Sequence, residues 1–154
     1  MTEIISYDLN NYSYSIENNV LIIKANPRKI TKTELLDIDF MSSIIIEVKI
    51  NDENFNRASY NDILYYLMSN LTAKKIKKVS GFSDLITDGD YYEINKDSNE
   101  VGEYMYFDKN NISYPFLAYD KLYIEEIIRF IEYQKKHLFM KIKLNDGSLV
   151  TFSI

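Results

Sequence analysis

A chain of 154 residues, 46% hydrophobic and 27% charged, has the length and composition of one globular domain rather than of a disordered segment. It holds no cysteine, which excludes a disulfide framework, thiolate zinc sites and a cysteine nucleophile. The net charge is −5, the longest apolar runs of about five residues fall far short of the roughly 20 that span a bilayer, and the opening MTEIISYDLNNYSYS lacks the basic and apolar regions of a signal peptide. A soluble, cytoplasmic protein is therefore expected. The chain favours Ile, Lys, Asn and Tyr, with three arginines, no tryptophan and four glycines. Such usage suggests an AT-rich genome, phage or mobile element, and it makes tyrosine the default half-buried aromatic.

Tyr12, Tyr14 and Ile16 alternate with Ser13, Ser15 and Glu17, the period of a strand with one buried face. Asn18-Asn19 tolerates positive φ and supplies a two-residue turn. Val20–Lys24 then returns as a second strand until Asn26-Pro27 ends it. Thr31 and Glu34 have the spacing of a capping box and open a short helix of about two turns, with Leu35, Leu36 and Ile38 on its apolar side. Ser43–Ile50 reads as a central strand, Ile44, Ile46, Val48 and Ile50 on one face and Glu47 and Lys49 on the other.

Ser59 and Asp62 start an amphipathic helix through Tyr60, Ile63, Leu64, Leu67, Met68 and Leu71. The segment Lys74–Val79 either extends it or forms a charged edge strand. From Phe82 to Tyr119, short strands between turns at Asp88-Gly89, Lys96–Asn99 and Asp108–Asn111 predict an antiparallel meander. Pro115, lacking an amide donor, is expected on an edge strand. Residues 120–137 form the clearest helix, with Asp120 as cap, a stripe of Ile124, Ile127, Ile128 and Ile131, and Lys135, Lys136 and His137 at its end. Leu138–Leu144 and Leu149–Ile154 then pair as a hairpin through Asn145-Asp146-Gly147-Ser148. The expected fold is α+β in a single domain, 1–154: an antiparallel sheet of hairpins and a meander, with about three helices packed mainly on one face. Residues 46–52 and 140–146 look alike, but seven alternating positions ending in Asn-Asp arise readily without duplication.

Motifs for chemistry are sparse. His137, the only histidine, follows two lysines at a helix end, where a cation complements the helix dipole. Asp97–Asp108 resembles a calcium-binding EF-hand loop at positions one, three and six. Val101 at position five offers no side-chain oxygen, and the last position is Asp rather than Glu. Neither a tight calcium or zinc site nor a cofactor is expected. There is no glycine-rich phosphate loop, serine nucleophile motif or histidine-based metal motif, which weighs against catalysis.

Charge distribution is more informative. Between Asp84 and Asp108 stand eight acids and one lysine, a net −7 inside a chain of −5, so the remainder carries +2. Tyrosines interleave the strip. Its twelve members, Asp84, Asp88, Asp90, Tyr91, Tyr92, Glu93, Asp97, Glu100, Glu103, Tyr104, Tyr106 and Asp108, are the expected partner-binding residues. Charges of this kind steer a basic partner inward while the rings supply buried contact. A solvated face of the meander would show the same pattern. Lys74, Lys75, Lys77 and Lys78 support the opposite reading, phosphate contact with nucleic acid. An acidic, arginine-poor domain without a nucleic-acid-binding signature disfavours it, and lysines also protect strand edges. The expectation is a small non-catalytic inhibitor that binds a basic protein: an immunity protein against a bacterial toxin such as a nuclease, or a phage anti-defence inhibitor. The rivals are an enzyme with an unmarked carboxylate/tyrosine site and a lysine-mediated nucleic-acid binder.

Overall fold

The structure, a computed structural model, describes residues 12–99 and 102–154. The N-terminal leader reading and Glu100 lie outside the described residues.

Strands β1 (Tyr12–Glu17) and β2 (Val20–Ala25) form the expected hairpin, with Asn18 and Asn19 at φ 50° and 64°, as a two-residue turn of this kind requires. The expected burial is absent: every residue of β1 is exposed. The alternation specifies an amphipathic ribbon, but a two-stranded sheet has no second layer of its own to cover its apolar face.

Beyond Asn26-Pro27, β3 (Arg28–Lys29) pairs in parallel with β10 (Leu149–Ser153) at the margin of a five-stranded sheet. The sheet order is β3, β10, β9 (Leu138–Lys143), β4 (Ile44–Ile50) and β5 (Glu53–Phe55). Thr31 and Glu34 make both capping-box bonds, each at 3.2 Å. They open only a 3₁₀ turn, Glu34–Asp37, rather than two helical turns. Ile38 turns extended, and the Asp39 carboxylate accepts the Met41 amide at 2.9 Å, bending the chain towards β4.

In β4 the register against β9 shifts between Ile45 and Glu47. This bulge breaks the strict alternation: Ile45, Val48 and Ile50 are buried, whereas Ile44 and Ile46 are exposed. β4 is an interior strand, but the middle of the sheet is β9, whose Leu138, Met140 and Ile142 enter the core. The opposite face of the sheet carries Glu47, Lys49, Lys141 and Lys143.

Helix α1 (Tyr60–Met68) opens with a complete capping box: the Asp62 amide donates to Ser59 Oγ at 3.2 Å, and the Ser59 amide donates to Asp62 Oδ2 at 2.9 Å. Ser59→Ala is expected to cost about 1 kcal/mol, read as a lowered urea midpoint with an unchanged slope. α1 stops at Ser69, and Thr72 caps a separate helix, α2 (Ala73–Val79), by accepting the Lys75 amide. The lysine segment is thus neither an extension of α1 nor a strand. Ile76 is its buried anchor.

The expected meander is present as β6 (Thr87–Asp88), β7 (Tyr104–Phe107) and β8 (Ile112–Pro115), but one turn of helix, α3 (Tyr91–Ile94), interrupts it. All pairing is antiparallel, and β8 lies in the middle. Pro115 is therefore not on an edge strand. It sits at the end of a central one, opposite Tyr104, where β6 has already ended after pairing with Ile112 and Ser113, so no partner there needs its missing amide.

Helix α4 (Asp120–Tyr133) is the longest among the described residues and buries Ile124, Ile127, Ile128 and Ile131. It ends before the expected residue 137; Lys135, at φ 54°, turns the chain into β9. The cap position is Tyr119, with no side-chain cap bond, because the Asp120 carboxylate turns to Ser43 instead. α1 and α4 pack together over the apolar face of the larger sheet, sharing its core. This is an α+β protein of antiparallel hairpins, a meander and one parallel edge pairing. No helix among the described residues is long and apolar enough to cross a membrane.

Candidate functional site

The acidic strip divides into groups. Its centre is the short span from Gly89 to Asn95, laid against β7 and β8. Asp90 caps α3 by accepting the Tyr92 amide at 3.1 Å, and the Tyr91 amide donates to Ser113 Oγ at 2.7 Å. Ser113 in turn donates to the Gly89 carbonyl and is fully buried under this crossing. Tyr91 stacks on Tyr104 with centroids 4.0 Å apart, Tyr92 meets Tyr91 edge-on, and Tyr92 Oη accepts the Tyr104 amide at 3.1 Å. Gly102 permits this approach, since a Cβ there would lie 2.5 Å from the Tyr104 ring. These tyrosines clamp α3 to β7, while Tyr92, Glu93, Ile94, Asp97 and Glu103 remain exposed around the clamp. Glu93 pairs with Lys96 at 3.1 Å, both well exposed.

The outer members of the strip have partners elsewhere. Asp88 lies 2.9 Å from Lys77 Nζ, so the acidic strip and the lysine cluster of α2 touch and partly neutralise each other. Asp108 accepts the Tyr65 hydroxyl of α1 at 2.7 Å and the Lys109 amide at 2.9 Å. The Tyr65 bond, first, and then the Lys109 amide hold its carboxyl below the usual range, and the same bond raises the Tyr65 phenol. Tyr106 donates to Asn111 at 2.7 Å with its ring partly exposed, and Asp84 is exposed in the 3₁₀ turn Ser83–Leu85 after α2.

Two carboxylate–tyrosine constellations were not foreseen. Glu126 is 1% exposed and accepts three hydrogen bonds: Ser80 Oγ at 2.6 Å, the Gly81 amide at 2.7 Å and Tyr114 Oη at 2.7 Å. Arg129 Nε stands 3.7 Å away. Burial, and then the Glu126 charge, push the Tyr114 phenol far above its ordinary value. This carboxylate joins the end of α2, β8 and α4, and its donors leave it closed to a substrate. Helical spacing carried the signal, because Glu126 is three residues after buried Tyr123 and four before buried Phe130.

The second constellation joins β4, α1 and α4. Ser43 Oγ lies 2.6 Å from Tyr60 Oη and 3.3 Å from Asp120 Oδ2, which also accepts the Ser43 amide at 3.2 Å. It borders a cavity of about 530 Å³ with Ile44, Ile46 and Arg57. Burial pushes the Tyr60 phenol up to about 12, so it is a poor proton donor or acceptor near neutrality. Among the described residues no histidine or lysine is bonded to Ser43 to activate it as a nucleophile.

The backbone of His137 exchanges hydrogen bonds with Asn51: its amide donates to Asn51 Oδ1 at 2.9 Å, and the Asn51 amide donates to its carbonyl at 2.8 Å. Its side chain is exposed at the entry to β9. Among the described residues no group of three His, Asp or Glu is placed to hold a metal ion. Comparison with protein-family models, curated proteins and solved structures gives no match to this chain.

Proposed function

We propose that this chain is a non-catalytic binding protein that neutralises a basic protein partner, as an immunity protein against a bacterial toxin or a phage inhibitor of a host defence protein does. A nuclease, whose basic channel evolved to hold phosphates, is the partner chemistry best matched. The observation that carries this reading is the composition of the exposed ground around α3. Tyr92 and Ile94 are 52% and 60% exposed, and Glu93, Asp97 and Glu103 stand beside them. Apolar side chains there supply contact area, while the acids steer approach and select against acidic surfaces. The clamp of Tyr91, Tyr92 and Tyr104 holds the patch on a sheet, which lowers the ordering cost of binding. The closed environment of Glu126 and the unactivated Ser43 weigh against the catalytic rival.

The test is affinity capture from the native host at moderate salt, comparing the wild-type chain with Glu93→Lys, Asp97→Lys, Glu103→Lys. The expected result is a basic protein retained by the first and lost by the second. A partner retained equally by both would remove α3 as the contact surface.

A further inference from the structure

We infer that the β1–β2 ribbon is a dimerisation element, its apolar face covered by the same face of a second copy of this chain. Strand alternation and the antiparallel register put Tyr12, Tyr14 and Ile16 of β1 on one side with Leu21 and Ile23 of β2, Tyr14 opposite Ile23 and Ile16 opposite Leu21. That side carries no charge. Glu17 and Lys24 belong to the reverse side with Ser13 and Ser15.

The argument for a second copy is area and symmetry. Tyr14, Ile16, Leu21 and Ile23 are between 38% and 71% exposed and adjacent across the hairpin. Together they present on the order of 500 Å² of contiguous surface, near the top of what a monomer normally leaves open. Two such faces pressed together remove on the order of 1,000 Å² from water, the level at which a specific interface begins. An uncharged face offers no complement to the charges of a foreign surface, and it meets no like charge when it meets itself.

The ribbon also stacks sensibly on its own copy. A two-fold axis running across the strands at the Tyr14–Ile23 pair sets Tyr14 over Tyr14 of the second copy and brings the tip residue Ile16 over Tyr12 at the base. This is the aligned, face-to-face packing of two small sheets, about 10 Å apart, in an isologous interface that closes at two copies. The acidic ground around α3 has no part in the contact, so this inference is independent of the proposed partner.

Sedimentation velocity across the micromolar range tests it. The wild-type chain is expected to show a concentration-dependent dimer. Ile16→Asp is expected to weaken that dimer about tenfold or more by burying a charge in the contact. Ser15→Asp, on the reverse side, should leave it unchanged, and far-UV circular dichroism should be unaltered in both. Because the chain has no cysteine, single substitutions report the geometry. With a bis-maleimide linker that spans about 10 Å, the spacing of facing sheets, Tyr14→Cys is expected to link two copies and Ser15→Cys is not. A wild-type monomer throughout, a dimer indifferent to Ile16→Asp, or equal cross-linking of both cysteine variants overturns the inference.

Discussion

Glu126→Ala is expected to destabilise the fold by about 3–5 kcal/mol, the usual consequence of removing one member of a buried, hydrogen-bonded charged group. The loss is large because three donors lose their acceptor together: Ser80 Oγ, the Gly81 amide and Tyr114 Oη. Each orphaned group costs about 1–3 kcal/mol when it stays buried. Total stability for a domain of this size is about 5–15 kcal/mol, so the variant should unfold at markedly lower urea. Tyr114→Phe removes one donor, keeps the ring, and should cost about 1–2 kcal/mol. Arg129 is well exposed and 3.7 Å from the carboxylate, so Arg129→Ala should change stability by less than about 1 kcal/mol. A Glu126→Ala variant as stable as wild type would mean that the three donors find other partners. Two buried phenols, one bonded to Glu126 and the other to Ser43, govern the alkaline limit. Burial raises the phenols of Tyr114 and Tyr60, the latter to about 12, whereas an unfolded tyrosine ionises near about 10. Their contribution is complete below the unfolded value and is lost as pH rises through the folded one, because the unfolded chain releases protons that the folded chain retains. The urea midpoint should therefore fall above about pH 10, and less steeply in Tyr60→Phe.

The elements legible in the sequence were those whose signal is local. The Asn18-Asn19 turn, the Ser59/Asp62 box and the isoleucine stripe of α4 are each decided by residues within a few positions of one another. What misled was decided by something distant. Alternation in β1 says that one face is apolar but cannot say whether another layer covers it. The bulge at Ile45–Glu47 exists because β4 must match β9, some ninety residues away, and it turned Ile44 and Ile46 outward against a perfect period. Pro115 obeyed its rule through the shortness of β6 rather than through an edge position. In the candidate site, the composition of the strip was legible but its partition was not. Asp88 is drawn to Lys77 and Asp108 to Tyr65, both contacts between segments with no sequence signal of proximity. Glu126 stands near the start of α4, where an acid complements the helix dipole, yet its helical phase places it among the buried residues.

That partition decides how the proposed interface should be probed. Reversing Asp88 or Asp90 would confound binding with folding, since Asp88 neutralises Lys77 and Asp90 caps α3. Glu93, Asp97 and Glu103 are exposed, and of these Glu93 has Lys96, itself exposed, as a paired cation. Against the captured partner, reversing these three to Lys is expected to slow association by about 10–10³-fold at low ionic strength, the range over which charge steering acts. The deficit should shrink as salt shortens the screening length to about 8 Å and below. Dissociation should change less, because exposed rim charges act mainly on encounter. The matching control is Lys74→Glu, Lys75→Glu, Lys78→Glu on α2, leaving Lys77 to its bridge with Asp88. It removes the same number of charges from a neighbouring surface and should leave the association rate nearly unchanged or slightly raised. Stopped-flow rates at two salt concentrations separate the outcomes. A greater loss from the lysine variant would transfer the interface to α2 and favour a phosphate-bearing or acidic partner. A gain from the lysine variant as large as the loss from the acid variant would mean that only the summed field of the protein matters, and that the ground around α3 selects nothing.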